Sequence, residues 1–168
     1  IEFIEGSKTK PWCAYLAHYA VHTPIQAKRE IITKYEAKRP GKLHQHATMA
    51  AMIQSVDEGV GKIIAKLDKL GQRDNTVIFF FSDNGGYGPA TDMAPLWGYK
   101  GNYYEGGIRV PFFVNWPDTV KAGQSTSEPI IGVDIYPTFL DLAKAKRPDQ
   151  PMDGRSILSV IRGEAKSV

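Results

Sequence analysis

The chain has 168 residues, 42% of them apolar and 23% charged, an ordinary globular balance that excludes a disordered, collagen-like or coiled-coil protein. Its net charge is +3, with eight basic and four acidic residues in 1–50 and thirteen against fourteen thereafter. So weak and scattered a bias argues against nucleic-acid or membrane-surface binding. The single cysteine, Cys13, excludes an internal disulfide framework and a multi-cysteine zinc site. The longest apolar run, Val77 to Phe81, is far short of the ~20 residues that cross a bilayer. The chain opens on Ile1, with neither an initiator Met nor a leader-like segment, which reads as a start inside a longer polypeptide.

In chain order, Trp12 to Tyr19 is a nearly continuous apolar run after Lys10-Pro11 and predicts a buried strand. A polar loop follows to about Gly41. Met49, Ile53, Val56, Val60, Ile63, Leu67 and Leu70 then step by four and three, one apolar stripe at helical period. Glu58, Lys62 and Lys66 fall on the opposite face, and Gly71 is the expected helix stop. Gly59 and Gly61 inside that helix suggest close approach of another backbone. Thr76 to Phe81, β-branched and aromatic without polar alternation, predicts a central strand covered on both faces. Residues 85–107 hold seven glycines and two prolines, too many for regular structure. Val110 to Trp116 predicts another strand. Ile135–Ala143 and Ser156–Arg162 predict short helices, the first with Asp134 as N-cap. This alternation points to an α/β layered fold with a mainly parallel sheet.

In such sheets ligands collect beyond the carboxyl ends of the strands. Three groups lie there. Asp83-Asn84 offers hard oxygen donors ahead of two glycines, which suits Ca²⁺ or Mg²⁺. Asp-Asn-Gly is also ordinary turn chemistry, and two residues cannot fill six or more coordination positions. His22, just past the first strand, could protonate a leaving group or hold an anion, or be a plain loop residue. His18 inside the strand should be packed, and His44 and His46 should begin a helix in solvent. Lys100, on the glycine-rich loop, can reach an anion as a point charge or stand as a surface lysine. Arg109 is expected to pair with a loop carboxylate. Together these residues suit an anionic ester held at a hard metal ion.

Several stretches resemble the type I, arylsulfatase-like sulfatases of the alkaline phosphatase superfamily. They are Pro11 to Gln26 (PWCAYLAHYAVHTPIQ), Asp74 to Gly86 (DNTVIFFFSDNGG), Trp97 to Pro117 (WGYKGNYYEGGIRVPFFVNWP), Asp134 to Ala143 (DIYPTFLDLA) and Asp153-Gly154-Arg155-Ser156. The resemblance implies an alkaline-phosphatase-like α/β fold, present as the C-terminal portion of a catalytic domain over residues 1–168. It implies Asp83 and Asn84 as ligands of Ca²⁺, with Mg²⁺ as the alternative, and Lys100 as a sulfate contact. His22 becomes a sulfate contact and proton donor to the leaving alcohol. The substrate would be a sulfated small molecule or sulfated glycan, and the protein periplasmic or secreted.

The family's formylglycine motif, Cys/Ser-x-Pro/Ala-x-Arg, is absent here, and Cys13 in Trp-Cys-Ala-Tyr-Leu does not match it. The nucleophile is therefore expected upstream, and the chain alone is expected to be inactive. Two rival readings are a phosphodiesterase or phosphonate monoester hydrolase of the same superfamily, and a non-catalytic binding module.

Overall fold

Helical period and end signals account for most of the regular structure. A computed structural model describes residues 1–167. In chain order its elements are α1 (Glu2–Gly6), α2 (Arg29–Glu36), α3 (Ala47–Lys69), β1 (Ile78–Phe81), α4 (Glu105–Ile108), β2 (Phe112–Asn115), a 3₁₀ turn (Gly132–Asp134), α5 (Ile135–Leu142) and α6 (Leu158–Ile161). The chain divides into two compact units. One holds Ile1–Arg73 and Phe81–Phe112; the other holds Asp74–Phe80 and the chain from Phe113 onward.

In the first unit α3 starts at an N-cap His46, whose Nδ1 accepts the Met49 N–H at 3.3 Å. It stops where the sequence requires. The Gly71 N–H donates to the Asp68 carbonyl and the Gln72 N–H to the Leu67 carbonyl, with Gly71 at φ +64°. That is the Schellman pattern, which needs a left-handed residue. α2 packs on α3 and buries Ile31. On α3 the buried residues are Met49, Ala51, Met52 and Leu67, whereas Ile53 of the expected stripe is 53% exposed. The buried face therefore runs through Ala51 and Met52 rather than Ile53. Each large side chain so covered contributes about 1.5–3 kcal/mol. Lys66 does not stand free on the outer face, because it pairs with Glu5 of α1. Nor does a backbone crowd the helix glycines: Gly59 faces the His18 side chain, and Gly61 faces open space.

The predicted strand at Trp12–Tyr19 is absent. The segment has no regular structure and lies in no ladder, and Cys13, Tyr15, Leu16, His18 and Tyr19 are exposed. A strand needs a neighbour as well as an apolar run, and among the described residues none pairs with it. His18 is accordingly not packed, and Cys13 is exposed rather than buried.

β1 and β2 form a two-stranded sheet, each four residues long and shorter than its predicted segment. Phe80 meets Phe113 at 6.3 Å between ring centroids, and Phe81 meets Phe112 at 6.0 Å. Phe80 and Phe81 are nevertheless exposed, so this sheet is not covered on both faces.

In the second unit Phe79 packs edge-on against Phe139 of α5 at 5.3 Å. Asp134 sits at the N-cap position of α5 but its carboxylate does not cap that helix. It accepts the Ile131 N–H at 2.9 Å and, across the fold, the Arg155 N–H at 2.8 Å. Thr138 completes this tie. Its hydroxyl donates to the Asp134 carbonyl at 2.6 Å and accepts the Ile157 N–H at 3.0 Å.

Two carboxyls sit below their ordinary range. Asp141 is lowered first by a hydrogen bond from the Ser156 side chain and then by the Arg147 guanidinium. Glu5 is lowered by the Lys66 hydrogen bond and charge. A depressed carboxyl stabilises the fold fully above its unfolded value and loses that contribution as pH falls through its folded value. Stability should therefore decline as pH drops from about 5 toward 2. In Ser156→Ala the decline should be shallower, as thermal melts across that range would show. An unchanged slope would remove Asp141 as a contributor.

Candidate functional site

The loop Ser82–Gly86 leaves β1 and closes on itself when the Ser82 hydroxyl donates to the Asn84 carbonyl at 2.9 Å. Asp83 is exposed at its apex and Asn84 is half-buried. The next residue, Gly85, is buried, and its N–H donates to the Gly107 carbonyl at 2.8 Å. A Cβ at Gly85 would collide with the Gly106 carbonyl, so this approach of two backbones requires glycine.

Lys100 sits in the turn Tyr99–Asn102, closed by the Asn102 N–H on the Tyr99 carbonyl at 2.9 Å and by the Tyr99 N–H on Asn102 Oδ1 at 3.1 Å. Gly101, at φ +92°, supplies the positive φ such a turn demands at its third residue. The Lys100 N–H donates to the Gly86 carbonyl at 2.9 Å. Two inter-loop backbone hydrogen bonds thus stitch the Asp83–Asn84 loop to the Lys100 segment. The second loop is braced in turn, with the Gly106 N–H on the Trp97 carbonyl at 2.7 Å and the Gly107 N–H on the Tyr104 carbonyl at 2.8 Å.

His22 belongs to the same unit, and its contacts are local. Its Nδ1 lies 3.0 Å from the Thr23 carbonyl and 3.3 Å from the Thr23 hydroxyl. A carbonyl can only accept, so Nδ1 carries a proton and Nε2 is the nitrogen left for other chemistry. The Tyr19 hydroxyl donates to the same carbonyl at 2.7 Å, and its ring lies 5.4 Å from the imidazole. No described hydrogen bond or ion pair joins His22 to the two stitched loops. Arg109 pairs with Glu105 at 3.3 Å, as expected, and both are exposed. Among the described residues no group of three or more His, Cys, Asp or Glu gathers as a metal cage. Among the described residues no helix is long and apolar enough to cross a membrane.

Sequence reasoning missed the rings around Lys100. Trp97, Tyr99, Tyr103 and Tyr104 are all exposed, within eight residues. The signal was present as aromatic residues alternating with glycine in Trp-Gly-Tyr-Lys-Gly-Asn-Tyr-Tyr.

Comparison with known proteins gives a consistent picture. The Sulfatase family model matches residues 1–145. A sulfatase of Formosa agariphila is 36% identical over 93% of the chain, and mouse steryl-sulfatase is 32% identical over 98%. The chain spans 31% and 26% of those two proteins' lengths. The crystal structure of Ps i-CgsB superposes on 95% of the chain at TM-score 0.86 and 41% identity, using 36% of its own length. The same protein has been solved in complex with k-i-k-neocarrahexaose. BT4656, solved with D-glucosamine-2-N,6-O-disulfate, superposes on 74% of the chain at TM-score 0.61 and 31% identity, over 24% of its length. The solved relatives share the alkaline-phosphatase-like α/β fold, of which the described sheet and helices are a part.

Proposed function

Because this chain belongs to the sulfatase family, the type I sulfatases of the alkaline phosphatase superfamily, we propose that it contributes the cation- and sulfate-holding side of a sulfuric ester hydrolase site. The observation that carries this reading is the stitching of the Asp83–Asn84 loop to the Lys100 turn through Gly85 and Gly86. It couples two hard oxygen donors to a cationic side chain's backbone.

The donor set fits Ca²⁺ in kind. A carboxylate and a carboxamide follow each other on a glycine-backed loop, Asp83 in solvent and Asn84 half-buried. It does not fill a coordination shell, so Asp83 and Asn84 would be part of one. When bound, the cation would supply polarisation of sulfate oxygens. Lys100 would balance the charge of the same group as a point cation. His22, with Nδ1 tied to the Thr23 carbonyl, would give an Nε2 proton to the bridging oxygen as an oxygen nucleophile from outside these residues bonds to sulfur and the S–O bond to the alcohol breaks. The alcohol would leave protonated.

Cys13 does not fit a formylglycine precursor. It lies in Trp-Cys-Ala-Tyr-Leu, outside the family's motif, on the irregular segment before Tyr19. No nucleophile is assigned within these residues. The proposed substrate is a sulfated glycan or smaller sulfate ester, supported by relatives solved with k-i-k-neocarrahexaose and D-glucosamine-2-N,6-O-disulfate. The family resemblance supports a periplasmic or secreted protein.

Binding by the 168-residue chain tests the site without requiring turnover. Ca²⁺ should perturb the Asp83 and Asn84 amide resonances with Kd of about 1 mM or weaker, as few ligands imply. Asp83→Ala should abolish the response. Inorganic sulfate should perturb the Lys100 turn, and Lys100→Ala should weaken it about tenfold, the loss of one charged contact. Ca²⁺ and sulfate responses unaffected by these substitutions would overturn the assignment.

A further inference from the structure

Asn84 is the one asparagine followed by glycine; Asn75, Asn102 and Asn115 precede Thr76, Tyr103 and Trp116. That order matters to a reaction asparagine undergoes without an enzyme. The next residue's amide nitrogen attacks the side-chain carbonyl carbon, and a successor without Cβ leaves that nitrogen least obstructed. At Asn84 the Gly85 amide proton passes to solvent base, a C–N bond forms, and the C–NH₂ bond breaks with ammonia leaving. The succinimide so formed takes up one water molecule and opens at either carbonyl. One opening gives aspartate. The other gives isoaspartate, whose backbone runs through the side-chain methylene and is one atom longer.

The structure withholds the attacking nitrogen. Gly85 is buried although Asp83, two residues earlier, is exposed. The Gly85 N–H donates to the Gly107 carbonyl at 2.8 Å, and the carbonyl of the same peptide group, that of Asn84, accepts the Ser82 hydroxyl at 2.9 Å. Both ends of the Asn84–Gly85 peptide are therefore held. The Gly106 carbonyl also packs against Gly85, in the place a Cβ would take. Attack needs the nitrogen turned onto the side chain at about 3–3.5 Å, in line with its carbonyl, and free of its acceptor. The contact between the loops thus has two effects. It demands glycine at position 85, which is the most reactive successor, and it ties up that glycine's nitrogen.

We propose that Asn84 is a site of spontaneous deamidation gated by the Gly85–Gly107 contact, so that opening of this contact converts the carboxamide irreversibly into a carboxylate. Either product adds a negative charge beside Asp83. Isoaspartate also lengthens the backbone between Ser82 and Gly85, which keeps the Gly85 N–H from returning to Gly107 and frees the neighbouring Lys100 N–H from the Gly86 carbonyl. The open form is the reactive one, so the rate follows its population. The inference goes beyond the sulfate-ester reading and holds whether or not the loop binds a cation.

The test is to incubate the 168-residue chain folded in buffer and unfolded in urea, at one pH and temperature. Mass spectrometry of digests then follows the exchange of NH₂ for OH at each asparagine. Asn84 should convert about tenfold or more slowly in the folded chain, the protection two neutral hydrogen bonds supply. In urea Asn75, Asn102 and Asn115 should lag behind Asn84. Ser82→Ala should raise the folded rate about fivefold, the loss of one such bond. Gly106→Ala, which displaces the segment carrying the Gly107 carbonyl, should bring it near the rate in urea. Ser82 is exposed, so its variant should melt with the parent and keeps the test decisive if Gly106→Ala fails to fold. In purified isoaspartyl chain the Lys100 amide should exchange faster than in the parent. Equal Asn84 rates in the folded and unfolded parent would overturn the gate, as would parent-like rates in both variants. Asn84 that stays an amide in urea would overturn the site itself, and native Lys100 protection in the isoaspartyl chain would overturn the coupling to that turn.

Discussion

Alanine at Gly106 is expected to unseat the Lys100 loop while α2 and α3 stay folded. The added methyl would meet the carbonyls of Trp97 and Gly98, both backbone, at distances real Cβ atoms do not adopt. Side chains can rotate away from a clash, but these carbonyls belong to the loop that Gly106 itself helps to close. We expect a loss of about 3 kcal/mol or more, the upper range of overpacking. Amide exchange should quicken across 97–107, and the sulfate response at Lys100 should disappear. Gly61→Ala is the control, because it sits in α3 facing open space and should stabilise by about 0.5–1 kcal/mol. A Gly106→Ala chain with native exchange in the loop would refute the close approach of Gly106 to Trp97 and Gly98 that braces the Lys100 loop.

Asp134→Ala is expected to release the Asp153–Ser156 segment from α5. The Asp134 side chain is only 7% exposed and accepts two backbone N–H groups, one local at Ile131 and one distant at Arg155. Hydrogen bonds to a charged group contribute about 1.5–3 kcal/mol each. Removing both acceptors leaves their donors without this partner, so a loss of about 3 kcal/mol or more is expected in denaturant titration. Asp134→Asn, which keeps one carbonyl acceptor, should lose roughly half as much. Equal melting of Asp134→Ala and the unsubstituted chain would show that Thr138, which also reaches this segment, holds it alone.

The candidate site was partly legible in the residues. Asp83 and Asn84 could be singled out because an apolar strand signal ended there and glycines followed. Lys100 stood out because it lay in a glycine-rich stretch expected to hold no regular structure, although the structure places Gly106 and Gly107 in the short helix α4. The meeting of these two loops was not legible, since it is made by N–H and C=O groups that every residue possesses. That position 85 must be glycine, because any side chain there would strike Gly106, shows only in the folded structure. The four rings around Lys100 were readable as aromatics but not as exposed ones, because exposure belongs to the surroundings.

What the sequence determined by itself is local. The three-and-four spacing and Gly71 gave α3 and its end, and the β-branched, aromatic run gave β1 with the Asp-Asn-Gly-Gly turn after it. Ordered motifs identified the family. Periodicity and positive φ are properties of a few neighbouring residues, so they can be read without the rest of the molecule. Tertiary structure decided which side of α3 is buried, for Ala51 and Met52 are covered and Ile53 is not. It decided that Trp12–Tyr19 forms no strand, because a ladder needs a second strand. It turned the Asp134 carboxylate from capping α5 to holding Arg155, because an acceptor takes whichever donors the fold delivers. In each case the deciding partner is distant in the chain, and the free energy of burial or hydrogen bonding exists only once that partner has arrived.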